Sequence, residues 1–466
     1  MHTVSSVVVI VIYVGVLTYV ALRARAAREF SEFSLAGRSL PLALVFGSLA
    51  ATYVGPGYSI GFVDKGFRSG FLFLGIGLAY ALQNILVGLL VAPRLRALKD
   101  CHTLGDAIGQ KYDRTCQILA GVISVGLCAG FAAVMAKAGG DVVRDISGLP
   151  HWSSVLIVVA ITALYTTSGG LRASVVTDAF QFSAFAILLP VALLIVLGFY
   201  LKGGSAAFAE QASVVTTKGL SDTTTIELIG LLAAFLLGET LIPPYANRAL
   251  ASETTRVSRN GFILAGLFSL FWFMVMISLG VAARTILVED PGEDLVLMTT
   301  VKSTLPPVCY ALLLVVLISV VMSSLDSLLN AGAVSFTQDI ARSFVKLPDA
   351  LNVGRAATIV IAAVAAVGAM AVPTIIGGLL ACYAVWAPAI LPTLIFGLWI
   401  ERPRPLAGIL SMSVGLGAAI TLWISMWLFV TYIRPIKIEI PPLVIVPALG
   451  AALVAYIVGH LTNKRN

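Results

Sequence analysis

The sequence predicts an all-α polytopic membrane protein of about thirteen transmembrane helices, and three observations carry that prediction. Of 466 residues, 59% are hydrophobic and only 11% are charged, where soluble domains run at about 45–50% apolar and about 25% charged. Mean hydropathy is +0.99. Apolar stretches of about 20 residues, the length that spans a bilayer as helix, recur along the chain, without the apolar–polar alternation of barrel strands.

The first apolar run, residues 4–22, is followed by Arg23, Arg25 and Arg28. A cleaved signal peptide carries its charge before the apolar run. The reversed order predicts an uncleaved span with its N-terminus outside. Twelve spans follow, at 41–63, 70–92, 115–138, 152–168, 175–200, 225–246, 259–283, 306–335, 355–371, 374–399, 406–431 and 442–461. The C-terminus is then cytoplasmic. With this count two thirds of the 30 Lys and Arg fall in inside loops, as the positive-inside rule requires; Arg248, Arg256 and Arg259 are counted there. The acidic loop Glu289, Asp290, Glu293 and Asp294 lies outside. The placement expected is a multi-pass protein of the plasma membrane.

The same loops account for the net charge of +7, and no basic cluster interleaved with aromatics marks a nucleic-acid partner. Cys101, Cys116, Cys128, Cys309 and Cys382 are scattered without a CxxC, so no disulfide framework or zinc spacing is present. The four histidines lie near helix ends or in loops. No paired His/Glu metal motif, Gly-x-Ser-x-Gly or cofactor loop occurs, so neither an enzyme nor a cofactor is expected. Interhelical loops are short and the tail after the last span is a few residues. The function is therefore expected inside the bundle, in contact with the lipid bilayer.

Two spans carry breaks. The second contains Ala50-Ala51-Thr52-Tyr53-Val54-Gly55-Pro56-Gly57, where proline removes a backbone donor and the glycines loosen the helix. The seventh contains Gly238-Glu239-Thr240-Leu241-Ile242-Pro243-Pro244-Tyr245. Interrupted helices at corresponding positions of two repeats mark the binding sites of secondary transporters. These two helices open two groups of five, and an odd number per repeat inverts the second copy. Each break on its own also reads as a plain proline kink.

Polar residues at membrane depth point the same way. In the ninth span Ser323, Asp326 and Ser327 share one helix face, with Ser324 at its edge; hydroxyls and a carboxylate together suit a hard cation. The serines alone would also fit helix packing or back-bonding to the preceding turn. Between the fifth and sixth spans, Asp178 and Gln181 follow Thr167-Ser168-Gly169-Gly170-Leu171-Arg172. Asp178 either faces the bundle or caps the first turn of the sixth span.

Four segments resemble the sodium:solute symporter family. Ser34 through Pro41 looks like its AGRslp entry, Ser168 through Gln181 like its GGLxAxxxTDxxQ signature, and Asn247-Arg248-Ala249-Leu250-Ala251 like its QRxLAA segment. Ser323-Ser324-Leu325 through Asn330, with Phe336 to Ile340, resembles its SSLxSxLN…FTxDI segment. The resemblance spans roughly residues 30–400. It implies a LeuT-like five-plus-five inverted repeat with one helix before and two after: residues 1–40 for the first helix and cytoplasmic loop, 41–200 and 224–400 for the repeats, 404–466 for the last two helices and tail.

The resemblance also implies sites. A main sodium site would use the carbonyls of Ala50, Tyr53 and Val320 and the hydroxyls of Ser323 and Ser324. A second site, for sodium or a proton, would use Asp178, Ser323, Asp326 and Ser327. Asp326 departs from the family pattern, and two close carboxylates need a cation, a proton or a basic partner; Lys137 is the candidate counter-charge, with snorkelling to the surface as its alternative. Solute candidates are Thr52, Gly55, Gly57, Tyr58, Glu239 and Tyr245. Glu239 would suit a cationic group, or would satisfy backbone freed at the break; Lys137 would suit a carboxylate. The family's sugar pattern is not evident. The function expected is sodium-coupled import of a small polar or charged organic solute. The alternatives are a proton-coupled carrier of the same fold working through Asp178 and Asp326, and a non-transporting sensor.

Overall fold

A computed structural model of the chain describes residues 12, 13, 15, 16, 19, 27–201, 205–287, 289–292, 294–429 and 440–462. Most of the first expected span and Glu293 lie outside them. Apart from one isolated bridge between Leu40 and Ser252, the regular structure among the described residues is helical. Among the described residues nine helices are long and apolar enough to cross a membrane, or up to ten with the pair Phe208–Asp222 and Thr225–Leu237, bent by 102°. The expected thirteen are not all visible as separate long helices, for the reasons the chain path gives.

A short helix α1 (Phe30–Leu35) leads to α2 (Leu42–Tyr53), which stops at Val54-Gly55-Pro56. After a wide helical turn at Gly57–Gly61 the span resumes as α3 (Phe62–Ser69). The second expected span is thus two short helices. The carbonyl of Val54, left without a helical partner, accepts the Ser59 hydroxyl at 2.6 Å.

Three helices follow: α4 (Leu72–Ala97), α5 (Leu104–Lys111) and α6 (Arg114–Ser147). The fifth and sixth expected spans then run together in α7 (His151–Leu201), where a loop was expected near residue 170. A straight helix of that length would reach about 77 Å, more than twice the hydrocarbon thickness. It breaks at Gly170, whose φ is +57° and where a Cβ would lie 2.7 Å from the Phe33 backbone; glycine alone fits both conditions. Beyond the break the chain runs antiparallel to the ninth span: Ser174 bonds Asp326, and Gln181 shares the Tyr13 hydroxyl with Ser319.

The next helices are α8 (Ser205–Asp222) and α9 (Thr225–Leu237), the latter opened by a capping box of Thr224 and Glu227. After a break at 238–242, where Leu241 has φ +47°, α10 (Pro243–Ala251) begins. The double proline was expected inside the break; it instead opens α10, where the missing N–H groups cost nothing. Then come α11 (Thr255–Ile286), α12 (Val296–Thr304), α13 (Pro307–Ser335), α14 (Ala350–Gly368), α15 (Ile375–Trp399), α16 (Pro405–Leu428) and α17 (Ile440–Leu461). The span containing α13 is the most buried of the long helices. It packs against α6, α7 and α14, and this puts its polar face at the centre of the bundle.

Candidate ion and solute sites

The two breaks meet at one narrow cavity of about 20 Å³. Thr52, Gly55, Gly57 and Tyr58 line it from the first break, Glu239 and Tyr245 from the second. The rest of the wall is Ser324 and the apolar side chains Phe131, Met135, Ile242, Leu328 and Leu379.

Glu239 is buried. Its carboxylate accepts the hydroxyls of Tyr58 at 2.7 Å, Tyr383 at 2.7 Å and Tyr245 at 2.5 Å. The backbone freed at the same break is satisfied by others. The Gln83 side-chain oxygen accepts from the N–H groups of Thr240 at 2.7 Å and Glu239 at 3.3 Å, and Trp386 Nε1 donates to the Thr240 carbonyl at 3.0 Å. The carboxylate is therefore not the cap of the broken helix. Gln83, Tyr383 and Trp386 were not anticipated: Gln83 lies in α4 and the other two in α15, and nothing in the local sequence of these apolar helices points at the break.

The candidates for the main ion site are all buried; Ala50 and Tyr53 lie at the end of α2, and Val320, Ser323 and Ser324 on α13. The Ala50 carbonyl accepts the Val54 N–H at 3.1 Å, the last helical bond before the break. Ser323 back-bonds to the Val320 carbonyl at 3.1 Å. The buried Ser324 hydroxyl has no protein partner, and a Cβ on Gly55 would come within 2.8 Å of it. It is aimed at the break and also lines the cavity.

Asp178, Asp326 and Ser327 come together around a basic partner, Arg248, whose expected place is an inside loop. Arg248, without exposed surface, sits in α10 beneath the second break. Its Nη2 donates to Asp178 Oδ2 at 2.9 Å and to Ser327 Oγ at 2.5 Å, its Nε to Ser48 Oγ at 2.6 Å, and its Nη1 to the Pro244 carbonyl at 2.8 Å. Ser48 Oγ in turn donates to Asp178 Oδ2 at 2.6 Å. Asp326 Oδ1 accepts from Ser174 at 3.0 Å and Ser327 at 3.1 Å. Oδ1 of Asp178 and Oδ2 of Asp326 have no protein partner. Asp178 is no N-cap: it lies two turns past the Gly170 break, facing the bundle. The signal for Arg248 was its position four residues after Pro244, about one turn into the helix that opens after the break.

Lys137 is not the counter-charge. Its Nζ lies 2.6 Å from Asp294 and 2.9 Å from Asp141, and Asp294 also caps the start of α15 through the Ile375 N–H at 3.0 Å. Asp141, one helical turn on from Lys137, was the overlooked signal. In the same loop Asp290 receives Arg68 at 2.6 Å, and this guanidinium with the Gly292 N–H holds the Asp290 carboxyl below its ordinary range.

The model of the sodium:solute symporter family matches residues 33–415. The chain is 24% identical over 356 residues to the uncharacterized symporter YidK of Escherichia coli (strain K12), covering 71% of this chain and 61% of that protein. It is 25% identical over 387 residues to the sodium/glucose cotransporter 1 of Ovis aries, covering 72% and 58% respectively. It thus spans about three fifths of the length of these relatives. Its fold is similar to that of a Na+-coupled sialic acid symporter solved in a substrate-bound outward-open state, with a TM-score of 0.75 and 15% identity over 97% of each chain.

Proposed function

Because the chain belongs to the sodium:solute symporter family, we propose that it is a sodium-coupled secondary active symporter, importing a small solute by alternating access. The fold would be thirteen helices: one before, two inverted repeats of five at 41–200 and 224–400, and two after, with the N-terminus outside and the C-terminus cytoplasmic. The observation that carries the reading is Ser324, whose unpartnered hydroxyl faces the first break and also lines the cavity between both breaks. An ion held by Ser324 and Ser323 with the carbonyls of Ala50, Tyr53 and Val320 would form one wall of the solute cavity. Occupancy of either site then stabilises the other, and linkage makes the gain reciprocal.

The ion would lock α2 to α13 and hold the cavity in its binding-competent shape. Solute binding would release the bundle to rock inward. Each sodium moving inward contributes about 2.3 kcal/mol per 100 mV of potential. Two carboxylates and one guanidinium at Asp178, Asp326 and Arg248 leave one net negative charge in a buried site, with two carboxylate oxygens lacking protein partners. A bare buried charge is costly, so a second sodium between Asp178, Asp326 and Ser327 completes the balance.

Uptake by proteoliposomes tests the reading, using a panel of small solutes under imposed gradients. Solute accumulation under a sodium gradient that a proton gradient cannot replace is the expected result. Accumulation under a proton gradient alone would make the acidic cluster a proton site, and solute binding without accumulation under either gradient would make the protein a sensor.

A further inference from the structure

The two side chains that could give the solute a charge preference part company in the structure. Lys137 is committed to Asp294 and Asp141. Glu239 is then the single charged side chain among those lining the cavity, and no amide side chain is among them. Its surroundings are aromatic: Tyr58 and Tyr245 line the cavity and bond the carboxylate, and Phe131 packs against Tyr383, the third bonding ring, at 5.7 Å between centroids.

We propose that the solute is an organic cation, an ammonium group on a small and largely apolar body, bound by the Glu239 carboxylate and the tyrosine rings around it. The inference rests on the symporter reading of this cavity and adds the solute's chemical class. A carboxylate offers about four acceptor positions; tyrosine hydroxyls take at most three, since Tyr58 and Tyr383 also bond each other at 2.6 Å, so at least one remains for the ligand. A cation placed there meets a full opposing charge at low dielectric and the electron-rich faces of aromatic rings. It also offsets the cost of a buried carboxylate with no basic partner.

Other solute classes fit worse. An anion would face Glu239 with no basic side chain to hold it. A sugar needs donors and acceptors for several hydroxyls, and a buried hydroxyl left unpaired is costly. The polar groups on offer are few: the Thr52 hydroxyl already donates to the Ser48 carbonyl at 2.9 Å, and Ser324 belongs to the ion site. Phe131, Met135 and Leu379 supply apolar wall that suits the alkyl part of an amine.

Thermal-shift titration of the full purified chain in detergent tests this, with tetramethylammonium, propylamine, glucose and butyrate as probes, each with sodium and with potassium. An ammonium probe is expected to raise Tm in sodium, while glucose and butyrate do not. Glu239→Gln should weaken the ammonium response about 10- to 100-fold, the range for a hydrogen-bonded charge. Glu239→Asp, which keeps the charge, should retain it in part and covers the case where the amide variant folds poorly. Absence of any ammonium response, a response to glucose or butyrate instead, or an undiminished ammonium response in Glu239→Gln overturns the proposal. The symporter reading fails separately, if sodium against potassium changes neither Tm nor solute affinity while the ammonium response persists.

Discussion

Arg248 and Asp178 form an ion pair, 2.9 Å from Nη2 to Oδ2, in which neither side chain has exposed surface. The pair ties α10, just below the second break, to the helix beyond Gly170. Ser48 extends the tie to α2 and Ser327 to α13. Four segments that alternating access would have to move are joined at one guanidinium, whose planar fork serves several acceptors at once.

Removing that fork should be severe. Arg248→Gln leaves two buried carboxylates without a basic partner and is expected to destabilise the protein by about 3–5 kcal/mol. Arg248→Lys should rescue only partly, since an ammonium cannot reproduce the fork. Adding Asp178→Asn to Arg248→Gln should recover part of the loss. Denaturation midpoints of the single and double variants check this, and purely additive losses would show that the pair is uncoupled.

Asp326→Asn brings the cluster to zero net charge. Sodium binding should then change from two ions to one, with the Hill coefficient of sodium-dependent transport falling to about 1, while the site at Ser323 and Ser324 persists. An unchanged coefficient would remove Asp326 from the ion path.

Ser324→Ala should weaken apparent sodium affinity more than Ser323→Ala. Ser324 has no other protein partner, whereas Ser323 is back-bonded to Val320. A loss of about tenfold is expected for Ser324, the scale of one hydrogen-bond-strength contact to a charge. Equal effects of the two variants in sodium titrations of transport would contradict the ranking.

Gly170→Ala forces a side chain into left-handed backbone against Phe33. The backbone term alone is about 1–3 kcal/mol, so folded yield should fall sharply, and Gly169→Ala provides the comparison. Normal yield and Tm for Gly170→Ala would show that the reversal tolerates a Cβ.

The loop pair Asp290–Arg68 sets a pH expectation. The Asp290 carboxyl is held below its ordinary range, so its pairing is complete above the unfolded aspartate value, about 3.9. The contribution is lost only as pH falls through the lower folded value. Asp290→Asn should therefore leave the shape of the Tm-versus-pH curve unchanged between about pH 5 and 8 and flatten it only below about pH 4. A difference in slope near neutrality would assign the titration to another group.

Much of the architecture follows from local sequence. Apolar runs mark where the chain is helical and able to cross a bilayer, because a bilayer admits only helices whose backbone bonds close within the segment. Gly55-Pro56 and Pro243-Pro244 mark both interruptions, because proline lacks the donor that a continuous helix needs. Membrane-depth polar residues such as Ser324, Asp326 and Glu239 stand out because their burial is expensive unless they are used. What tertiary structure alone decided is the pairing of charges. Arg248 lies four residues past Pro244, so counting it by position along the chain puts it in a loop, while the packing of α10 puts it on Asp178. Lys137 has apolar neighbours on both sides in sequence, yet it reaches across to Asp294, 157 residues later. The ring of Tyr58, Tyr245 and Tyr383 around Glu239 comes from three separate helices. Hydropathy and helical period report how each segment meets lipid or core; which buried charge meets which partner depends on how helices pack side by side, and that is long-range geometry.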